Sequence, residues 1–153
     1  LPGTGEEIPV TTETGSGLLQ LDGRCSVYES DNLIIYGEQN DRVIVLQNYT
    51  AQAFQQENPF FVFTDAYERV QYKVCAVVSG TATDLKDTIE QIDFAEQQDF
   101  DVWMQHIKEK SLYDTGITPE KGDRLMTVSL NDGTQEDTEM LIFGYAETHS
   151  HER

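Results

Sequence analysis

The sequence predicts a mainly β domain: one antiparallel barrel or sandwich of seven or eight short strands, with a long helix between late strands and a short one near residues 50–57. Two observations carry this. Short apolar runs bounded by Gly, Pro, Asn and Asp recur along the chain: NLIIYG, VIVL, FFVFT, VQYKVCAVVS, RLMTVSL and EMLIFGY. Only one long stretch has helical period, with Phe100, Trp103, Met104, Ile107 and Ser111 on one stripe.

Residues 1–17 are rich in Gly, Pro, Thr and Glu and lack an apolar period, so they predict a flexible arm. Residues 18–146 hold the domain, and 147–153 form a polar tail. Within the domain, LLQLDG alternates weakly and turns at Asp22-Gly23. Asn32 to Gly37 reads as a buried strand, and Val43 to Leu46 as the next. Residues 50–57 suit a short helix with Thr50 as N-cap and Ala51, Ala53 and Phe54 inward; Asn58-Pro59 ends it. Phe60–Thr64 and Val70–Ser79 read as a hairpin that Gly80 closes. Residues 81–98 mix helical spacing (Leu85, Ile89, Ile92) with frequent Thr and Asp, and lead into the long helix.

That helix is capped by Asp99, carries Lys108 and Lys110 at its C-terminal end, and is stopped by Gly116 and Pro119. His106 falls on its polar side; Phe100, Trp103 and Ile107 are packing residues. The next strand, Arg124 to Leu130, sets Leu125, Thr127 and Ser129 on one face and Met126, Val128 and Leu130 on the other. It ends in the turn signal Asn131-Asp132-Gly133, and Glu139 to Tyr145 is the last strand.

A length of 153 residues suits one domain with a real core. The net charge of −18 excludes nucleic-acid binding, which needs a basic face to neutralise phosphates. No stretch reaches the ~18 consecutive apolar residues of a membrane helix. Cys25 and Cys75 have neither CxxC nor zinc spacing, which leaves open one disulfide or two buried reduced thiols. No cofactor is expected. His149 and His151 are read as part of a solvated tail, not as metal ligands.

The stretch SLYDTG, followed by Gly122-Asp123-Arg124 and a Thr-x-Ser strand, resembles the class B sortases. These are cysteine transpeptidases that attach proteins to the cell wall of Gram-positive bacteria. Leu21-Asp22-Gly23-Arg24 resembles their Asp-Tyr-Arg corner, and Tyr36-Gly37-Glu38 resembles a strand that ends Tyr-Gly-His. The resemblance implies a closed sortase-like β-barrel and an extracellular or cell-surface location, with any membrane anchor outside this chain. Leu1-Pro2-Gly3-Thr4-Gly5 spells the LPxTG motif that many sortases cut. A working signal is followed by a hydrophobic segment and a basic tail, and this one is not, so it is read as a spacer, the alternative being an arm that docks into a sortase-like groove, its own or a neighbour's.

In the family pattern the strand reads Thr-Leu-x-Thr-Cys, and its last residue is the nucleophile. The matching residues are Thr127, Val128, Ser129, Leu130 and Asn131. The family histidine falls on Glu38, and the arginine about eight residues past the cysteine falls on Glu139. An asparagine amide cannot form a thioacyl intermediate, and an ionised glutamate only accepts hydrogen bonds. The sequence therefore predicts a sortase-like protein without transpeptidase activity. Its former substrate groove (Glu38, Ser129, Asn131, Glu139) would bind a sorting-signal-like peptide or a surface protein. The alternatives are a sortase whose nucleophile is Cys25 or Cys75, a carboxylate-based hydrolase, a structural spacer domain, or a cation-binding module. In the last, Glu38, Glu139 and Asp132 would be the ligands, aided by Asn131.

Overall fold

The computed structural model describes residues 10–11, 19–21, 32–38, 48–64, 69–81, 94, 96–120, 123–131 and 138–146. At 10, 11, 20, 38, 64, 81, 131, 138 and 139 it describes the backbone alone. The expected strand Val43–Leu46, Cys25, Asp132, His149 and His151 lie outside these residues.

Among the described residues the apolar runs form the strands the sequence predicts, most of them slightly longer. They are β1 (Val10–Thr11), β2 (Leu19–Leu21), β3 (Asn32–Glu38), β4 (Phe60–Thr64), β5 (Arg69–Thr81), β6 (Arg124–Asn131) and β7 (Thr138–Ala146). They make one seven-stranded sheet in the order β1-β2-β3-β6-β7-β5-β4, curled into a half-barrel. Three details correct the sequence reading. Val10–Thr11 belongs to the sheet, paired with β2, so the arm is not strand-free. β5 runs through Gly80 to Thr81. The sheet is mixed rather than antiparallel, because β1 pairs β2 and β3 pairs β6 in parallel. A parallel pair needs a crossover, and the chain between β3 and β6 supplies it, carrying the two described helices and the β4–β5 hairpin.

Strand alternation divides the side chains between two cores. Leu33, Ile35, Val70, Tyr72, Val74, Met126, Val128, Leu130, Met140 and Ile142 fill one. On the opposite face Ala76, Val78, Leu125, Leu141 and Phe143 meet a helix. A β-bulge between Val74 and Ala76 shifts the phase of β5. One extra residue exchanges the two faces, so Val74 points to the first core while Cys75 and Ala76 both join the second.

The first helix, α1 (Gln52–Glu57), follows a 3₁₀ turn over 48–50. Its N-cap is Ala51, not Thr50, and Ala51 and Ala53 are exposed. The turn rotates the helix so that Tyr49, fully buried, takes the place expected of the alanines, with Phe54 edge-on at 4.8 Å and Gln55 buried. The second helix, α2 (Gln97–Lys110), starts earlier than expected. Glu96 is the cap, and Asp99 is the third residue of a reciprocal capping box. Phe100, Trp103, Met104 and Ile107 are at most 5% exposed against the sheet, each contributing ~1.5–3 kcal/mol by burial. Ser111 is the C-cap, not part of the apolar stripe, so the helix ends before Gly116 and Pro119.

Beyond α2 the chain is strapped to β5 where β4 no longer pairs with it. The Leu112 N–H donates to the Val77 carbonyl at 2.8 Å, and the Val77 N–H donates to Ser111 Oγ at 3.2 Å. Thr115 Oγ1 donates to the Cys75 carbonyl at 2.7 Å, and the Tyr113 hydroxyl to the Tyr49 carbonyl at 2.6 Å. Lys108 Nζ donates to the Ile117 carbonyl. This strap satisfies backbone groups that an edge strand would otherwise satisfy.

Candidate functional site

β3 enters the sheet because Leu33-Ile34-Ile35 can be buried on both faces, and all three are at most 2% exposed. Its parallel register against β6 runs from Asn32 opposite Leu125 to Glu38 opposite Asn131. The antiparallel β6–β7 register sets Asn131 opposite Glu139, and β5 adds Gly80 opposite Glu139. Glu38, Asn131 and Glu139, remote in sequence, thus stand in one lateral row of backbone at the same end of the sheet. Paired positions on neighbouring strands are ~4.5–5.5 Å apart.

The next row of the same parity holds Tyr36, Ser129 and Leu141, and the one after it Ile34, Thr127 and Phe143. Ser129 is 3% exposed; Thr127 and Asn32 are fully buried, with Thr127 Oγ1 donating to Asn32 Oδ1 at 3.1 Å. Leu141 and Phe143 lie beneath α2, where Trp103 meets Phe143 edge-on at 5.8 Å. The helix thus packs on the sheet face that bears the buried hydroxyls.

Cys75 is set apart from this row. It sits at the β5 bulge, beside Phe143 and Gly144 in register, and is buried in the core beneath α2. Burial pushes its thiol up to about 12, and the nearby Lys108 offsets only part of that. Such a thiol carries almost no thiolate at neutral pH, the form in which a cysteine attacks. His106 is exposed on α2, as expected. Among the described residues no three His, Cys, Asp or Glu side chains gather around a metal position. The strap was not legible in the sequence: Ser111 reads as part of the helical stripe and Thr115 as an ordinary loop residue, and only the fold shows which carbonyls and amides they meet.

No family model matches the chain. It is 29% identical over 115 residues to Sortase B of Staphylococcus aureus, an alignment that spans 72% of this chain. Its fold superposes on the Clostridium perfringens sortase B structure with a TM-score of 0.80 at 18% identity, over 94% of this chain and 88% of that one. The chain is similar to the class B sortases in both sequence and fold. A Staphylococcus aureus sortase B–substrate complex gives a TM-score of 0.74 at 23% identity, over 85% of this chain and 62% of that one. The class B sortase likeness thus rests on the sequence relative and on the barrel together. The chain spans about half the length of the curated relative it matches, 46%. Among the described residues no helix is long and apolar enough to cross a membrane.

Proposed function

We propose that this chain is a non-catalytic sortase homologue of the Gram-positive cell surface that holds an extended, sorting-signal-like peptide or a surface protein without cleaving it. The observation that carries the reading is the lateral row itself. If it corresponds to the family's catalytic row, Glu38, Asn131 and Glu139 stand where histidine, cysteine and arginine are needed. Asparagine has no ionisable nucleophile, so the thioacyl intermediate cannot form. Two carboxylates replace the acid that protonates the leaving amine and the donor that steadies the oxyanion. Loss of one oxyanion donor costs roughly 10²–10³ in rate, and loss of the nucleophile closes the covalent route. The burial of Cys75 supports the same reading, because it removes one candidate substitute. That a related sortase B has been solved with a substrate bound supports a peptide as the ligand class.

The test is an NMR titration of the labelled protein with LPxTG-type and NPxTN-type peptides, with mass spectrometry of the peptides afterwards. Shifts at Glu38, Asn131 and Glu139 with intact peptide are expected. Cleaved peptide would overturn the non-catalytic reading, and an unchanged spectrum at millimolar peptide would overturn the binding reading.

A further inference from the structure

A second surface lies at the other end of the sheet order, away from the row just described. β4 is the last strand, and among the described residues it pairs with β5 alone. Phe61 and Phe63 pack on the first core, with the Phe61 ring stacked on Tyr72 at 5.6 Å. Alternation turns Phe60 and Val62 to the opposite face, where they are 40% and 41% exposed. The helix-covered core takes in β5 only from Cys75 onward, so among the described residues nothing of that core covers this corner of the face.

The strand FFVFT contains no charge, no proline and no bulge, three devices that blunt a free edge. Its neighbour supplies the charge. Lys73 stands opposite Phe60, and Arg69 opposite Thr64, with Gln71 opposite Val62 between them. Lys73 Nζ lies 5.9 Å from the centroid of the Phe60 ring, so its ammonium already leans over the edge strand. In a chain of 10 basic and 28 acidic residues, the paired stretches Phe60–Thr64 and Arg69–Lys73 carry two cations and no acid.

We infer that β4 is a docking edge for an extended acidic segment of a partner protein, which adds to the sheet as a further strand. Strand addition gains backbone hydrogen bonds, and its selectivity comes from alternate side chains. The register fixes the pattern: an acidic residue opposite Phe60 to meet Lys73, an apolar one opposite Val62, and an acidic one opposite Thr64 to meet Arg69. Neighbouring strands lie ~4.8 Å apart, so the Lys and Arg side chains need to reach across one strand only. A second copy fits worse. Antiparallel β4–β4 pairing would turn the same cations towards each other, between molecules that each carry a net charge of −18.

The experiment is fluorescence anisotropy on the full chain, using an end-blocked, dye-labelled peptide Ser-Glu-Thr-Val-Thr-Glu-Ser and its counterpart with both Glu replaced by Lys. The Glu peptide is expected to bind one to one, and the Lys peptide about tenfold more weakly or worse. Lys73→Glu should weaken the Glu peptide about tenfold and strengthen the Lys peptide, a gain that a misfolded variant could not show. Amide shifts should centre on residues 60–64. Equal binding of both peptides, no binding at millimolar concentration, shifts centred on Glu38, Asn131 and Glu139, or sedimentation as a dimer would each overturn the inference.

Discussion

Two glycines inside strands give opposite answers to the same substitution. A Cβ on Gly144 of β7 would lie 2.7 Å from Phe61 Cε1, 2.8 Å from Cζ and 3.2 Å from Tyr72 Cβ. Carbon atoms pack best at ~3.5–4.0 Å, so the Phe61 ring must retreat by roughly 0.8 Å to restore that spacing. It cannot simply rotate away, because it is stacked on Tyr72, which is fully buried. Its retreat has to push β4 outward. Overpacking of this kind costs ~1–3 kcal/mol, and removing a strand glycine returns ~0.5–1 kcal/mol. Gly144→Ala is therefore expected to lose about 1–2 kcal/mol net.

At Gly37 the nearest contact is shorter, 2.5 Å to Leu19 Cδ2, with Leu130 Cδ2 at 3.2 Å. Yet both atoms are tips of flexible side chains, and Leu19 sits on the three-residue strand β2. Rotation relieves the contact, so Gly37→Ala should cost ~0–1 kcal/mol. Urea unfolding at fixed temperature, followed by the fluorescence of the sole tryptophan, Trp103, measures both. Adding Phe61→Leu to Gly144→Ala should recover about 1 kcal/mol of coupling in a double-mutant cycle. The reasoning fails if Gly144→Ala is as stable as the parent, or if Gly37→Ala proves the costlier change.

Trp103→Ala should cost ~3–5 kcal/mol, since the side chain is 5% exposed among Phe94, Phe100 and Phe143; denaturation followed by circular dichroism gives the value. Ser111→Ala removes the acceptor of the fully buried Val77 amide and should cost ~1–2 kcal/mol, with faster hydrogen exchange at Val77. The protein should weaken in alkali. The Cys75 thiol is raised from 9.0 to about 12, so the unfolded chain releases this proton first, and stability falls by ~1.4 kcal/mol per pH unit between those values. Burial raises the Tyr49 phenol as well, which adds to the fall above its ordinary value of 10.0. Cys75→Ala should flatten the urea midpoint against pH between 9 and 10, and an unchanged slope would refute the assignment.

Much of this was legible in the chain because it depends on near neighbours. The alternation in Arg124–Leu130 fixes which of its residues face each core, and the structure divides them as read. The stripe Phe100, Trp103, Met104 and Ile107 fixes the buried side of α2, although the capping box moves its start back from Asp99. Those patterns need only the periods of strand and helix.

What the tertiary structure alone decided is register between distant segments. No local signal says that β3 runs parallel to β6, or that Glu38, Asn131 and Glu139 share one row; pairing between strands far apart in the chain is set by how their faces pack together. Likewise nothing around Cys75 announces a bulge, yet that one extra residue turns the thiol into the core beneath α2. The lean of Lys73 over Phe60 exists only because the hairpin sets them side by side. Periodicity settles which face of an element is apolar, whereas long-range packing settles which residues of different elements meet, and function depends on the second.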